Sequence, residues 1–551
     1  MYLFTKSSKK HKSIQVSFNL TSGKDDYMKA FKATVMALVI LLTFTACRKP
    51  PVDSSSSIPV GATEILLSDS GITTGNTTVS NNPADAVYTA NDIIYYESGK
   101  DFTYGEGSEK DAHSAEEASE HTVVHITKAG TYVLSGTLQK GQIAVDLGED
   151  AKNNPEAVVT LILNGAEISC SVAPAVIFYN VYECTGEEAT KDVDTSAAGA
   201  NIIIEDGTIN TVNGSYVERI YKPETVVLND NKTEVEDAEK LHKYDGAFYS
   251  KMTMNVSGGK EGTGVLNINA ENEGMDSEMH LTVNGGNINI KSGNDGINTN
   301  EDGVSVTTIN GGKLTIEVTG TTGEGDGIDS NGWLVINGGT VKAYACSDSA
   351  DAGIDSDMGI HINGGTVIAS GHMIDRFEDS GQNYAIFNFA QKQTGSETVV
   401  LKDQSGKTVF EEKPVNSYSV LIFSSPELKE GTYTLFSNGI QLTGQSGNMF
   451  GRPQMPEGIT PPEMIDENRP TRAEGETRPE GFKPPEGFEP PEEPPEGFEP
   501  PEKPESMYPP EHPDRIQNEK LDNNNEKSAE RTDKFVIKNG GNVFGSISES
   551  E

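Results

Sequence analysis

Basic residues, tryptophan and cysteine are scarce in this chain of 551 residues. Lysine and arginine total 43 against 84 aspartates and glutamates, so the net charge is -41. Such a surface repels polyanions, so we expect no nucleic-acid partner and regard cations as the natural complement. The four cysteines show no CxxC pair or Cys/His spacing that would indicate zinc. A disulfide between Cys170 and Cys184 is one alternative, and buried free thiols are our expectation.

Apolar residues are also few, at 34% of the chain, whereas glycine contributes 57 residues. This composition favours a thin, turn-rich solenoid over a thick globular core. The apolar run at residues 33–44 is too short to span a bilayer. It follows Met28, Lys29 and Lys32 and leads into Phe44-Thr45-Ala46-Cys47, which is typical of a lipoprotein signal.

We therefore predict a leader and lipoprotein signal at residues 1–47, with translation starting at Met28 and a lipid on Cys47. A diacylated cysteine is sufficient for stable anchoring. The mature protein would be extracellular and held on the outer face of the cytoplasmic membrane. A short uncleaved membrane anchor is the alternative.

A strand-turn unit recurs four times at intervals of 26, 27 and 26 residues. The repeated turn is Asn-Gly-Gly, at residues 284–286, 310–312, 337–339 and 363–365. Each turn leads into an alternating apolar stretch, such as Leu314, Ile316 and Val318, whose side chains share one face of a strand. A period of this length with one structural unit per repeat predicts a solenoid.

The remaining segments follow from composition. Ser, Thr, Pro and Asn dominate before the first strand pattern, strands separated by turn residues follow the repeats, and a tract repeating Pro-Glu-Gly-Phe comes next. The predicted organisation is a flexible spacer at 48–85, a parallel β-helix at 86–380, a C-terminal β cap at 381–450, a disordered Pro/Glu-rich tract at 451–533 and a terminal hairpin at 534–551. Residues 218–243 break the pattern and are expected to form an insertion.

Acidic turns follow the strands in most repeats. Stacked coils lie about 4.8 Å apart, so equivalent carboxylates would repel by roughly 3 to 4 kcal/mol at an effective dielectric near 20. Calcium would neutralise them, because carboxylate, amide and carbonyl oxygens suit its coordination. The candidate ligands are Glu273, Asp276, Asp295, Asn298, Asp326, Asp329, Asp351, Asp355 and Asp357. A solvated acidic turn surface without metal is the alternative.

Several motifs together resemble a bacterial family. They are ITKAGTYVLSGTL, GQIAV, VTLILNGAEIS, DGAFYSK and the repeated NGG and DGI units, between about residues 86 and 440. They are similar to extracellular carbohydrate-binding domains that form calcium-containing, right-handed parallel β-helices with a polysaccharide-lyase-like fold. The resemblance implies binding of cellulose or acidic, pectin-like sugars without established catalysis. Ala352 departs from the pattern, since it replaces the aspartate before Gly353, and Asp351 is a substitute ligand.

The expected function is a monomeric, non-catalytic module that binds polysaccharide. Trp333, Tyr344 and Lys291 are the candidate carbohydrate-binding residues, although Trp333 could instead be a packing residue. A calcium-dependent lyase is the runner-up, and Lys291 is its candidate base because no arginine occurs at residues 245–372. A glycoside hydrolase that uses stacked carboxylates, and a purely adhesive protein with the Pro/Glu tract as a stalk, are further alternatives.

Overall fold

The computed structural model describes residues 59–186, 188–320, 325–446 and 531–549. Strands dominate these residues, and helix is confined to α1 (Ala115–Ser119) and two 3-10 turns, Glu149–Asn153 and Pro223–Thr225. None of these described helices is long and apolar enough to cross a membrane. The all-β class predicted from the sequence is confirmed. Cys47 and most of the predicted Pro/Glu tract lie outside the described residues, so these predictions remain untested.

The N-terminal strands begin earlier than predicted. They are β1 (Thr63–Ser68), β2 (Thr73–Thr74), β3 (Thr77–Thr78), β4 (Val87–Ala90), β5 (Thr122–Ile126), β6 (Gly130–Leu138), β7 (Gly141–Asp146), β8 (Val159–Ser169), β9 (Val176–Asn180), β10 (Ala200–Ile204) and β11 (Ile209–Gly214). β1 pairs in parallel with β6, and Ile65 and Leu67 are buried. The predicted spacer at 48–85 is therefore wrong from Thr63 onward, because two buried side chains suffice to attach this short strand to the sheet.

The charged stretch predicted as an insertion is an arm of two strand pairs. Its strands are β12 (Val217–Tyr221), β13 (Val227–Leu228), β14 (Val235–Asp237) and β15 (Lys240–Tyr244). β12 pairs with β15 and β13 with β14, both antiparallel. The arm therefore interrupts the repeats locally and returns the chain to the repeat at Gly246.

The repeat region supplies β16 (Gly246–Ser250), β17 (Met254–Gly258), β18 (Val265–Ala270), β19 (Glu273–Ser277), β20 (Leu281–Val283), β21 (Asn287–Ser292), β22 (Ile297–Thr299), β23 (Val306–Ile309), β24 (Lys313–Val318), β25 (Trp333–Ile336), β26 (Thr340–Tyr344), β27 (Gly359–Ile362) and β28 (Thr366–Gly371). They form three parallel ladders. Ladder 1 contains β16, β19 and β22, ladder 2 contains β17, β20, β23, β25 and β27, and ladder 3 contains β18, β21, β24, β26 and β28. The chain visits the ladders in the same order in each repeat.

The Asn-Gly-Gly turns join ladder 2 to ladder 3. In each turn the second glycine has a positive φ, for example 83° at Gly312 and 80° at Gly339, where other residues would be strained. The first glycine lies under the preceding coil, and a Cβ on Gly338 would come 2.6 Å from the Asn310 carbonyl oxygen. The turn asparagines form the asparagine ladder, in which Nδ2 of Asn310, Asn337 and Asn363 donates to Oδ1 of the asparagine one coil earlier at 2.9, 3.0 and 2.9 Å.

Apolar side chains from all three ladders fill the space between them. Leu314, Ile316 and Val318 are buried, as their alternation predicts, while Thr315 between them is half-buried on the opposite face. Cys170 and Cys346 are buried free thiols, which confirms that expectation, and Cys184 is free and half-buried.

The C-terminal strands build a cap with a second core. They are β29 (Tyr384–Gln393), β30 (Val399–Asp403), β31 (Thr408–Glu412), β32 (Tyr418–Ser424), β33 (Gly431–Ser437), β34 (Ile440–Ser446), β35 (Phe535–Ile537) and β36 (Gly541–Glu549). β32 pairs antiparallel with β28, which covers the edge of the last repeat. The predicted cap strands are thus found.

The last described segment completes this cap. β35 pairs with β33, and β36 lies between β29 and β34. The predicted terminal hairpin is wrong, because β35 and β36 pair with earlier strands of the cap. Gly444 and Thr532 exchange two backbone hydrogen bonds of 2.9 Å, so the chain leaves and re-enters the cap at one place.

Candidate metal centre

One column of predicted ligands lies on the outer face of ladder 1. Asp276 pairs directly with Asn298 in the next coil. The backbone of Asp329 then donates to the Ile297 carbonyl, and that of Asp355 donates to the Ile328 carbonyl. Residues that are 22 to 31 positions apart in the sequence are therefore neighbours in space. The structure therefore stacks these four residues in one column, one in each successive coil.

A second column precedes ladder 1 at the acidic turns. Gly274 donates to the Asp295 carbonyl, Gly296 to the Asp326 carbonyl and Gly327 to the Ala352 carbonyl, so these turns stack. The glycines permit this contact, since a Cβ on Gly327 would lie 2.3 Å from the Gly353 carbonyl oxygen. Glu273, Asp295 and Asp326 consequently lie beside the first column.

Three half-buried carboxylates meet where the columns adjoin. One oxygen from each of Asp326, Asp329 and Asp355 lies within 4.8 Å of the others. Burial of the carboxylate, followed by the negative charge of Asp355, raises the pKa of Asp326 well above its ordinary value. Burial, followed by the negative charge of Asp357, raises the pKa of Asp329 to about 7. Burial, followed by the negative charge of Asp375, raises the pKa of Asp355 to about 9. The group holds its negative charge poorly without a cation.

A second acidic group lies two coils earlier. Glu273 and Asp276 are buried, and loss of water followed by neighbouring carboxylates raises both pKa values well above normal. Asp245 joins them, and burial raises its pKa to about 6 although its Oδ2 is 3.3 Å from the Lys243 Nζ. A lysine thus offsets part of this group's charge.

Four side-chain oxygens in these columns are buried without a hydrogen-bond partner among the described residues. They are Glu273 Oε2, Asp276 Oδ2, Asn298 Oδ1 and Asp355 Oδ1. Buried oxygens without partners are costly, and oxygen-only donor sets are what calcium takes. The residues present therefore fit calcium, which Asp326, Asp329 and Asp355 would hold in one group and Glu273, Asp276 and Asn298 in the other.

Two of the predicted ligands differ from the clustered acids, since Asp351 has another role and Asp357 is exposed. Asp351 is buried, and its Oδ2 accepts hydrogen bonds from the Gly325 amide and the Ser349 hydroxyl. That oxygen holds the turn together, so Asp351 is a poor substitute for the aspartate missing at Ala352. Asp357 is exposed and lies at the border of the group.

Sequence reasoning missed two acids. Asp245 precedes Gly246 just as Asp326 precedes Gly327, so the Asp-Gly pattern could have identified it. Asp375 follows the last repeat, where no spacing indicates it, and its Oδ2 accepts a hydrogen bond from the Ser356 amide at 2.9 Å.

The predicted carbohydrate contacts are separated from the acids. Trp333 is half-buried on ladder 2. Lys291 lies on ladder 3, where its Nζ is 3.1 Å from a Glu317 carboxylate oxygen. Tyr344 is only 3% exposed and belongs to the cap core, so its ring has no free face for a sugar. The prediction for Tyr344 is wrong, because cap strands remote in sequence cover it.

Comparison with known proteins finds one family model and one solved structure that are similar to part of the chain. Residues 120–385 match a family model described as "Carbohydrate-binding domain-containing protein". A solved structure of a polysaccharide lyase-like protein from C. thermocellum, a gadolinium derivative, aligns with a TM-score of 0.34 and 21% identity over 58% of this chain and 92% of that one. No curated protein matches the chain. The part of the chain that forms the three ladders is therefore similar to carbohydrate-binding domains.

Proposed function

We propose that this protein is a non-catalytic, cell-surface lipoprotein that binds polysaccharide, either cellulose or an acidic pectin-type glycan, through a calcium-stabilised right-handed parallel β-helix. The match of residues 120–385 to the carbohydrate-binding family model carries the binding role. These residues include both acidic columns, and the four oxygens without partners support calcium. The three parallel ladders, visited in constant order, support the helix of strands.

The geometry favours binding over lyase chemistry. A base must lie within hydrogen-bond reach of the proton it removes. Lys291 is engaged with Glu317 on ladder 3, while the acids line ladder 1. Arg376 is a second candidate base because it directly follows Asp375 in the sequence, but its guanidinium pairs with Glu378. Both candidate bases are thus held by other carboxylates.

Retention on insoluble polysaccharide tests this function. The full chain from Cys47 onward should be retained on cellulose or pectin when calcium is present and less well after chelation. Parallel incubation with polygalacturonate, followed by assays for unsaturated product and reducing ends, should detect no cleavage. Absence of retention on every polysaccharide would refute the binding role, and product formation would support the lyase.

The membrane anchor is tested separately. Replacement of Cys47 by serine removes the sulfur that would carry the lipid, so Cys47→Ser is expected to move the protein from the membrane fraction to the soluble fraction. Cys184→Ser, at a half-buried free thiol, is the matched control. Continued fractionation of Cys47→Ser with membranes would favour an uncleaved anchor instead.

A further inference from the structure

A groove crosses the outer face of ladder 2, away from the acidic columns. It has a volume of about 280 Å³, its floor contains Thr308 and Val335, and the asparagine ladder borders it. Loop 191–196 forms one wall, since Thr195 Oγ1 lies 2.8 Å from Thr282 Oγ1 and the Thr195 carbonyl accepts a hydrogen bond from Asn255.

A second cavity continues the groove around the turn. It has a volume of about 540 Å³, is lined by residues 257–262 and by the turn glycines of the next coils, and shares Asn284 with the first. Both cavities follow the corner where the coils stack. The surface they form is therefore long in the direction of stacking, as an extended polymer requires.

The floor of this groove carries no carboxylate, in a chain whose net charge is -41. The charges that border it are largely engaged, since Lys191 pairs with Asp192 at 2.8 Å and Asp194 accepts from the Ser196 amide. Asn310 and Asn337, inside the asparagine ladder, each use one N–H and one oxygen lone pair along it, which leaves a second donor and acceptor for a ligand. Hydroxyl groups of a neutral sugar match this pattern.

Trp333 lies two positions before Val335 on β25, outside the residues that line the groove. Leu334 and Ile336 are buried inward, so Trp333 and Val335 share the outer face of β25. A glycan that extends from the groove along this face would reach the half-buried indole, where an aromatic ring can pack on the apolar face of a pyranose. Amides recur once per coil, about 4.8 Å apart, a spacing close to the length of one sugar unit in an extended β-linked chain.

We propose that this groove is the subsite for a neutral, extended glycan of the β-glucan class, which lies along the asparagine ladder with a ring against Trp333. This inference rests on the proposed polysaccharide-binding function and specifies its location and ligand. Uronate polymers would bind less well here, because the floor carries no cation, Lys260 and Lys313 lie at the second cavity, and the protein as a whole is strongly acidic.

Calorimetric titration of the full chain with a soluble cello-oligosaccharide and with polygalacturonate tests the proposal. Thr308→Glu places a charge on the floor, and Trp333→Ala removes the ring. Each should weaken binding of the cello-oligosaccharide by about tenfold or more, which corresponds to 1.4 kcal/mol or more. Thr315→Glu, at a half-buried threonine on the outer face of ladder 3, is the matched control and should bind like the wild type.

The outcomes separate this inference from the function on which it rests. Melting temperatures equal to the wild type would show that weaker binding is not a folding defect. Wild-type affinity in both groove variants would overturn the groove assignment and leave polysaccharide binding intact. Binding of polygalacturonate alone would overturn the neutral ligand class, whereas no binding of any polysaccharide by the wild type would refute the proposed function as well.

Discussion

In the presence of a chelator, the protein is expected to lose stability as the pH rises from about 5 to about 8, and calcium should restore most of this loss. The folded-state pKa values of Asp329 and Asp355 are raised to about 7 and about 9. In the unfolded chain these groups release their protons near pH 4 (roughly 3.9 for aspartate). Between those values the folded state binds more protons, so stability falls as pH rises, and the loss is complete above about 9.

Calcium changes this dependence because it takes the place of the protons. A ligand at about 100 times its Kd adds roughly 2.7 kcal/mol to the free energy of unfolding. The gain should be greatest at alkaline pH, where no proton must be displaced. Thermal melting is followed by circular dichroism at about pH 5 and about pH 8, with calcium or with EDTA. It measures the loss of stability with pH and its recovery by calcium.

Variants make this prediction specific. Asp355→Asn removes one of the three clustered carboxylates, so it should reduce the calcium-dependent rise in melting temperature. In EDTA at alkaline pH it should melt no lower than the wild type, because one unfavourable charge is gone. Asp237→Asn, at an exposed acid of the arm, should behave as the wild type in all conditions. A wild-type melting temperature unaffected by chelator would instead indicate metal-free acidic turns.

Removal of residues 531–551 is expected to unfold the cap. Phe535 and Phe544 are buried, and both rings pack on Phe387, with centroid distances of 5.8 and 5.5 Å. Loss of a buried phenylalanine side chain costs about 3 to 5 kcal/mol, and the deletion also removes the central strand β36. We expect a large fall in melting temperature and rapid proteolysis of residues 384–446.

Two controls distinguish the loss of packed side chains from the mere removal of residues. A larger deletion, of residues 447–530, with a linker of about four residues should leave the melting temperature nearly unchanged, because Gly444 and Thr532 already pair at 2.9 Å and hairpin loops need only two to five residues. Phe544→Ala should give an intermediate loss. If deletion of 531–551 left melting and proteolysis unaltered, the docking of β35 and β36 would be wrong.

Local periodicity explains which parts of the fold were predictable. The regular spacing of Asn-Gly-Gly and the alternation at Leu314, Ile316 and Val318 sufficed for ladders 2 and 3, because turns at nearly equal intervals bring the strands that follow them into register. The same spacing was sufficient to bring Asp329 and Asp355 together. Whether metal and sugar bind there stays a prediction.

Contacts between distant segments explain the remainder. Tyr344 looks like a surface aromatic from its place in a repeat, but Asn416 Nδ2 donates to the Ala345 carbonyl beside it and the cap encloses it. Asp375 lies outside every repeat, and only the path of the chain after β28 brings it to Asp355. β1 has just two inward apolar residues, a signal too weak to separate from its polar surroundings.

The pairing of Gly444 with Thr532 has a consequence for the product of limited digestion. Both flanks of the intervening residues are anchored in one set of strands, so a single cut between 447 and 530 leaves two polypeptides joined by hydrogen bonds and packed rings. Such a nicked molecule would elute as one species from a sizing column under native conditions and separate into two bands only in detergent.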